Sequence, residues 1–286
     1  MLGLDVVSTE ELSGGTYNAA YRLTLADGRR LILKIAPTSP GLTYEIDLLT
    51  TEATFYRLTA DVAPVPSVVH AAPGSLLMTE LPGTSWYSLR AEVAAADHRR
   101  LRAELGTIVA RLHTVTGSSF GYPSRLPHPT WRTAFTTMVD DVLADSVRYN
   151  VSLLHSVDFF ASLIRRHGPL LDVVTTPRLV HFDLWDGNIL LDGTRLSGIV
   201  DGERAFWGDP LAEFVSLSLF KDLDPDLLDA YRAAGGVAEF DPVRLALYRT
   251  YLYLIMLVEM TPRNDHDPDR AHFVTTHLTE ALDMLR

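Results

Sequence analysis

Cysteine is absent from this chain of 286 residues. Its absence excludes a disulfide scaffold, a thiolate metal site and a cysteine nucleophile. Long apolar runs are also absent: the longest stretch, residues 245–260, is interrupted by Arg249 and Glu259, whereas a membrane helix needs about 20 apolar residues. No apolar segment of the signal-peptide type follows a basic N-terminus. We therefore expect a cytoplasmic protein with no membrane partner.

Positive charge is scarce as well. The chain has 25 Lys and Arg against 36 Asp and Glu, a net charge of −11. A nucleic-acid partner would need a basic stripe, so we expect none. The acidic balance is compatible with a cationic substrate, although acidic surfaces also serve solubility alone. Internal repeats and low-complexity segments are absent. With 47% hydrophobic residues, the chain can bury a core of one or two domains, and we expect a monomer or a homodimer.

A short loop between two apolar runs carries His181, Asp183 and Asn188. The Asp-Gly pair at residues 192–193 is a tight-turn signal, and the returning run delivers Asp201 to the same end of the predicted hairpin. An aspartate that orients a hydroxyl, followed by an asparagine and an aspartate that hold Mg²⁺, is the minimal apparatus of kinase-type phosphoryl transfer. The alternative is an ordinary turn, since Asp, Asn and Gly are common turn formers and so short a pattern also arises by chance.

The first eighty residues are rich in strand patterns and contain two features of a nucleotide lobe. One is a glycine-rich loop whose backbone N–H groups could approach phosphate oxygens, although a Gly-Gly pair between strands is more often a plain turn. The other is Lys34 within the apolar run 31–36, where a charge is costly unless it faces solvent or an anion. Its place in the third strand favours phosphate binding over a solvated edge-strand lysine. The glycine-rich loop comprises Ser13, Gly14, Gly15 and Thr16.

Residues 179–209 resemble the aminoglycoside phosphotransferase and choline kinase-like family. Its catalytic loop has the pattern H-G-D-x-x-x-x-N, and its metal-binding turn is usually an Asp, an aromatic residue and a Glu. The sequence pattern Leu-Trp-x-Gly-Asn at residues 184–188 is also seen in fructosamine kinase-like relatives. Two departures stand out, because Phe182 replaces the family's glycine and Gly202 replaces its aromatic residue. Neither departure replaces a charged residue, so we expect phosphoryl transfer to be retained. The two departures change the shape of the pocket, so the motif constrains the substrate class less.

The resemblance implies an α+β protein with the bilobal, protein kinase-like fold. A small β-rich N-terminal lobe over residues 1–82 would bind the nucleotide. A larger helical C-terminal lobe over residues 83–286 would carry the catalytic loop and bind the substrate. The resemblance also implies ATP and Mg²⁺ as cofactors and a hydroxylated small molecule as the phosphoryl acceptor.

The resemblance further implies roles for individual residues. Asp183 would orient or deprotonate the acceptor hydroxyl, and Lys34 would neutralise the α- and β-phosphates. Glu52, on a helix predicted over about residues 44–58, is the expected partner of Lys34, with Glu45 as the runner-up and a solvated helix glutamate as the alternative. The other expected roles are adenine contact for Met78, Thr79, Glu80 and Leu81, Mg²⁺ ligation for Asn188 and Asp201, structural support for His181 and Glu203, and substrate contact for Trp185, Trp207 and Glu213.

The expected reaction is transfer of the ATP γ-phosphoryl group to a hydroxyl of a small molecule. An antibiotic of the aminoglycoside, nucleoside or peptide type ranks first as acceptor, because the family is rich in such enzymes. A sugar, amino sugar or choline-like metabolite ranks second. A nucleotide-binding module without catalysis is the third alternative. A protein kinase is disfavoured, because there is no room for a long activation segment between Asp201 and Asp209.

Overall fold

The computed structural model of the protein describes residues 3–12, 17–39, 41–237 and 239–286. The predicted phosphate loop of Ser13, Gly14, Gly15 and Thr16 lies outside the described residues, so its role stays a prediction. Within the described ranges, no helix is both long enough and apolar enough to cross a membrane.

The first part of the chain forms an antiparallel five-stranded sheet. Its strands are β1 (Val6–Glu11), β2 (Ala19–Leu25), β3 (Arg30–Ile35), β4 (Val68–Ala72) and β5 (Ser75–Thr79). They lie in the order β1-β2-β3-β5-β4. A turn at Asp27 and Gly28 joins β2 to β3, with Gly28 in the left-handed region at φ 84°, where glycine has no steric penalty. Lys34 lies opposite Ala20 and Leu76 in the centre of this sheet.

The helix predicted over about residues 44–58 is shorter than expected. The structure has a 3₁₀ turn at Thr43–Glu45 and then helix α1 (Leu48–Thr59). Between them Asp47 adopts a left-handed conformation at φ 56°, which a continuous right-handed helix cannot include. The helix α1 contacts β4, β5 and the 3₁₀ turn Gly202–Arg204, and therefore joins the sheet to the region that follows the catalytic loop.

The rest of the chain is mainly helical, as the sequence predicts. Its helices are α2 (Trp86–Leu89), α3 (Ala95–Leu112), α4 (Trp131–Arg148), α5 (Val157–His167), α6 (Phe214–Leu217), α7 (Pro225–Ala233), α8 (Pro242–Val258) and α9 (Pro268–Asp283). Aromatic packing joins α4 to the short strand at Phe206–Gly208 and to α8. Trp131 of α4 stacks on Phe206 with ring centroids 5.6 Å apart, and its indole N–H donates to the hydroxyl of Tyr248 in α8 at 2.8 Å.

Short strands within this helical part carry the catalytic loop. They are β6 (Thr84–Ser85), β7 (Arg178–Val180), β8 (Ile189–Asp192), β9 (Arg195–Ile199) and β10 (Phe206–Gly208). The predicted hairpin is present as β8 paired with β9, and β6 pairs with β8 along its other edge. The loop follows β7, and the strand β10 pairs with β7. A sheet-rich first part and a helical second part are thus present, as expected.

Candidate active site

A cleft of about 450 Å³ runs between the five-stranded sheet and the catalytic loop. Lys34 of β3 lines one side of it, and Asp183, Asn188 and Asp201 line the other. Lys34 comes from a distant strand, whereas Asp183 and Asn188 share one loop and Asp201 follows the next hairpin. The ordinary-turn alternative for the loop residues therefore does not account for their convergence with a buried lysine.

Lys34 is the link between the two parts. Its ammonium group donates to both oxygens of Glu52, at 2.7 and 2.9 Å, so the predicted pair is confirmed. It also donates to Asp201 Oδ1. Burial lowers the pKa of Lys34, but the neighbouring carboxylates of Asp201, Glu52 and Glu203 outweigh it, and the net shift is upward. The lysine is therefore held as a cation within reach of the cleft.

Glu45, the runner-up for the Lys34 pair, lies elsewhere. Its carboxylate accepts a hydrogen bond from Arg263 at 2.6 Å, and its other oxygen accepts from the amide of Leu42 at 2.6 Å. Glu45 therefore belongs to the 3₁₀ turn before α1, not to the lysine.

The hydroxyl of Tyr56 connects this ion pair to the loop that bears Asp201. It donates to Glu52 Oε1 at 2.5 Å and accepts from the amide N–H of Asp201 at 3.0 Å. Asp201 itself is left-handed at φ 62°, which is uncommon for a residue with a Cβ. The tyrosine therefore stabilises the backbone of Asp201 in the conformation that turns its carboxylate towards Lys34.

His181 braces the catalytic loop, in agreement with the structural role expected for it. Its Nε2 is 3.0 Å from the carbonyl oxygen of Val200, and its Nδ1 accepts from the amide of Asp183 at 3.2 Å. Together these contacts require the tautomer with hydrogen on Nε2. The imidazole thus joins the loop to the end of β9 and is fully buried.

Glu213 does not line the cleft, so the structure does not support the substrate contact expected of it. Its side chain is fully buried and lies behind the catalytic loop, where it accepts from the amides of His181 at 2.7 Å and Phe182 at 2.9 Å. Two backbone donors on one carboxylate fix the start of the loop. Trp207 does not line the cleft either, and its ring packs against Gly117. Trp185, by contrast, lines the cleft.

Asn188 and Asp201 are suited to a hard divalent cation. The amide nitrogen of Asn188 donates to the carbonyl of Asp183 at 2.8 Å, an arrangement that leaves the side-chain oxygen as its metal-binding atom. One carboxylate and one amide oxygen are the few protein ligands that Mg²⁺ usually takes beside phosphate oxygens. Within the described residues, no group of three or more His, Asp and Glu forms a closed ion site. The donor set therefore fits Mg²⁺ shared with a nucleotide.

Asp183 lines the same cleft as Asn188 and Asp201, and 28% of its side chain is exposed. Burial raises its pKa, and the nearby Arg204 and His181 oppose that shift without cancelling it. The Nε of Arg204 is 3.9 Å from Asp183 Oδ2. A carboxylate with a raised pKa is a better proton acceptor than a free one.

Glu203 faces the same part of the cleft. The side-chain amide of Asn18 donates to its Oε2 at 2.6 Å. Burial, reinforced by Glu52 and Asp201 and opposed by Lys34, raises the pKa of Glu203 to about 8. A crowded group of carboxylates cannot all ionise cheaply, so the proton is retained on the one without a direct cationic partner.

The two departures from the family pattern are explained by packing. Phe182 is left-handed at φ 66°, the conformation in which a glycine is favoured, yet its ring is buried against Phe206 and Tyr251. The room beside Gly202 is filled by Phe55 of α1, which also meets His181 edge to face at 5.0 Å. An aromatic ring is therefore present beside the metal-binding turn, but it comes from a different element.

The adenine pocket expected at Met78, Thr79, Glu80 and Leu81 forms one wall of the cleft. The carboxylate of Glu80 is held by Arg22 at 2.8 Å and Arg30 at 2.9 Å. The carboxylate is therefore held by side chains of the sheet. Any contact between Glu80 and an adenine base would be made by the backbone of Glu80.

Two arginines that line the cleft were missed by sequence reasoning. Arg204 directly follows Glu203 in the metal-binding turn, so its position in that motif was an available signal. Arg263 follows α8 and has no local motif, so only the folded chain reveals it. Both bond the carboxylate of Glu259, at 2.8 and 3.0 Å.

Comparison with known proteins agrees with this geometry. Residues 8–248 match the model of the phosphotransferase enzyme family. A Lactiplantibacillus plantarum protein named probable ketoamine kinase is 26% identical over 88% of this chain and 89% of its own length. A Thermobifida fusca crystal structure, provisionally named a fructosamine-3-kinase, has a TM-score of 0.76 at 21% identity, covering 99% of this chain and 96% of that one. A variant aminoglycoside phosphotransferase solved with AMP-PNP and hygromycin B has a TM-score of 0.67 at 17% identity, covering 98% and 95%. The bilobal kinase-like fold is thereby confirmed.

Proposed function

Because the chain belongs to the phosphotransferase enzyme family and is a small-molecule kinase, we propose that it transfers the γ-phosphoryl group of ATP to a hydroxyl of a ketoamine. A ketoamine is a ketose whose first carbon carries an amine. The relative named ketoamine kinase supports this acceptor, since its match extends along nearly all of both chains. ATP as donor is supported by the AMP-PNP complex of the related aminoglycoside enzyme.

This proposal reverses the ranking expected from the sequence, in which an antibiotic stood first and a sugar or amino sugar second. The antibiotic enzyme shares the fold at an identity too low to carry its substrate over. The sequence relatives favour a sugar amine. A catalytically silent module is disfavoured, because Lys34, Asp183 and Asp201 all line one cleft.

The kinase mechanism is supported above all by one observation: the ammonium group of Lys34 in β3 donates hydrogen bonds to both Glu52 and Asp201. In our proposal the ammonium group neutralises the α- and β-phosphates while Glu52 fixes its position. Asn188 and Asp201 hold Mg²⁺, which when bound would neutralise the β- and γ-phosphate oxygens. Positioning and charge neutralisation supply most of the rate in such reactions.

Asp183 is the proton acceptor in this scheme. As the ketoamine hydroxyl oxygen forms its bond to the γ-phosphorus, the bond from that phosphorus to the β–γ bridging oxygen breaks, and ADP leaves. The hydroxyl proton passes to a carboxylate oxygen of Asp183. The bonds of His181 and Glu213 to the loop backbone keep that carboxylate in place during the transfer.

The test is ATP turnover across acceptors of different classes. ADP release is measured with N-(1-deoxyfructosyl)glycine, with kanamycin and with choline, each with Mg²⁺ and with excess EDTA. We expect Mg²⁺-dependent turnover and a phosphorylated product, seen by mass spectrometry, with the ketoamine alone. Turnover of kanamycin or choline in preference to the ketoamine would refute the proposed acceptor.

A further inference from the structure

The end of the cleft beyond Asp183 presents guanidinium groups to an acceptor. Arg204 and Arg263 both line it. The carboxylates that hold them, Glu45 and Glu259, lie behind, with side chains only 1% and 4% exposed. A molecule bound here therefore meets the two arginines and Asp183, but not Glu45 or Glu259.

Arg263 keeps part of its hydrogen-bonding capacity unused. Its bonds to Glu45 at 2.6 Å and to Glu259 at 3.0 Å both leave from one nitrogen, Nη2. Its Nε is buried and has no hydrogen-bond partner in the part of the chain that the structure describes. Its Nη1 also makes no hydrogen bond within the described residues and, unlike Nε, is not buried, so Nη1 is the nitrogen that an incoming acceptor oxygen can reach.

The orientation of Arg263 is fixed before any ligand binds. The guanidinium carbon lies 5.1 Å from the centre of the Tyr17 ring, and Glu259 joins Arg263 to Arg204 beside the catalytic carboxylate. A guanidinium held in this way presents its Nη1 to an acceptor, and its positive charge matches the negative charge of a carboxylate.

We propose that Arg263 binds the carboxylate of a ketoamine derived from a free α-amino acid, and so sets the enzyme's preference for such acceptors. This inference rests on the proposed function. The sugar hydroxyl would lie at Asp183, and the amino-acid carboxylate would lie at Arg263.

The experiment compares two acceptors that differ only in this charge. The ratio of kcat/KM for N-(1-deoxyfructosyl)glycine to that for its glycinamide counterpart is measured in each variant. Because both values come from one preparation, the ratio does not depend on the fraction of folded enzyme. We expect the wild type to prefer the carboxylate by about tenfold or more, as for a hydrogen-bonded charge pair.

Variants test whether Arg263 is the source of the preference for the carboxylate acceptor. Arg263→Gln is expected to bring the ratio close to one, and Arg263→Lys to retain part of it. Arg270→Gln is the matched control, because Arg270 approaches the same Glu259 at 3.8 Å but does not line the cleft; its ratio should equal that of the wild type.

The outcomes separate the two claims. Equal turnover of both ketoamines by the wild type, or an unchanged ratio in Arg263→Gln, overturns the carboxylate site and leaves the ketoamine function standing. No turnover of either ketoamine overturns the proposed function and the inference together.

Discussion

The ring of Phe55 occupies the space that a side chain at Gly202 would need. A Cβ added to Gly202 would lie 2.5 Å from Phe55 Cδ1 and 2.7 Å from its Cγ, and Phe55 is 1% exposed. The helix α1 thus packs directly on the residue that follows Asp201. The position of the metal-binding turn is therefore coupled to the helix that carries Glu52.

This packing predicts that the aromatic ring can be exchanged between the two positions. Gly202→Phe should be strongly destabilised. Phe55→Ala should lower the free energy of unfolding by about 3–5 kcal/mol, because removal of the ring leaves a cavity. The double variant should recover stability, with a coupling free energy of about 0.5–3 kcal/mol. Urea unfolding of all four proteins measures it, and strictly additive losses would contradict the shared space.

The Tyr56 hydroxyl should influence metal binding without touching metal or substrate. Tyr56→Phe leaves Glu52 Oε1 and the Asp201 amide without the partner they share. We expect a several-fold rise in the Mg²⁺ concentration for half-maximal activity, as for loss of a hydrogen bond of about 1–2 kcal/mol.

The control for Tyr56 is Tyr231→Phe, another buried hydroxyl with two partners, His113 and the Val237 amide. It should lose comparable stability without a change in Mg²⁺ dependence. Equal Mg²⁺ dependence in both variants would contradict the positioning role of Tyr56.

Phe182 combines an unfavourable backbone with a favourable ring. Its left-handed φ of 66° costs a residue with a Cβ roughly 1–2 kcal/mol. Phe182→Ala and Phe182→Gly both remove the ring, so their difference isolates the backbone. We expect Gly to be more stable than Ala by about 1–2 kcal/mol, the reverse of the usual order. Chemical denaturation decides it, and a more stable Ala variant would show that the strain is absent.

Glu203 should make the metal-free protein less stable as pH rises. Its folded pKa of about 8 lies above the ordinary value of 4.5, so the unfolded state binds fewer protons between these values and stability falls with pH. Glu203→Gln removes this contribution. From about pH 5 to about pH 8, in EDTA, its Tm should fall less than that of the wild type. If Tm fell equally with pH in the wild type and in Glu203→Gln, the raised pKa of Glu203 would be excluded.

The catalytic loop was predictable because its chemistry is local. His181, Asp183 and Asn188 lie within one loop, and the Asp-Gly turn of the next hairpin returns the chain to Asp201. Lys34 and Glu52 were also predictable, since a strand followed by one helix brings them together across 18 residues. The 3₁₀ turn before α1 was not, because it depends on the left-handed Asp47.

Residues that act through long-range packing could not be found in this way. Glu213 was expected to contact the substrate, and only the fold shows it bonded to the amides of His181 and Phe182 behind the catalytic loop. Arg263 reaches the cleft through Glu45, 218 residues away in the chain. No periodicity or motif records such a pair.

In our proposal, Asp183 accepts the proton of the acceptor hydroxyl in a cleft that binds ATP independently of this residue. The most direct measurement is kcat of Asp183→Asn with ATP, Mg²⁺ and N-(1-deoxyfructosyl)glycine, together with the affinity for ATP by calorimetry. We predict that kcat falls about 100- to 10,000-fold while ATP binding changes little. A variant that turns over within a factor of about two of the wild type would contradict the account, because an effective general base contributes far more.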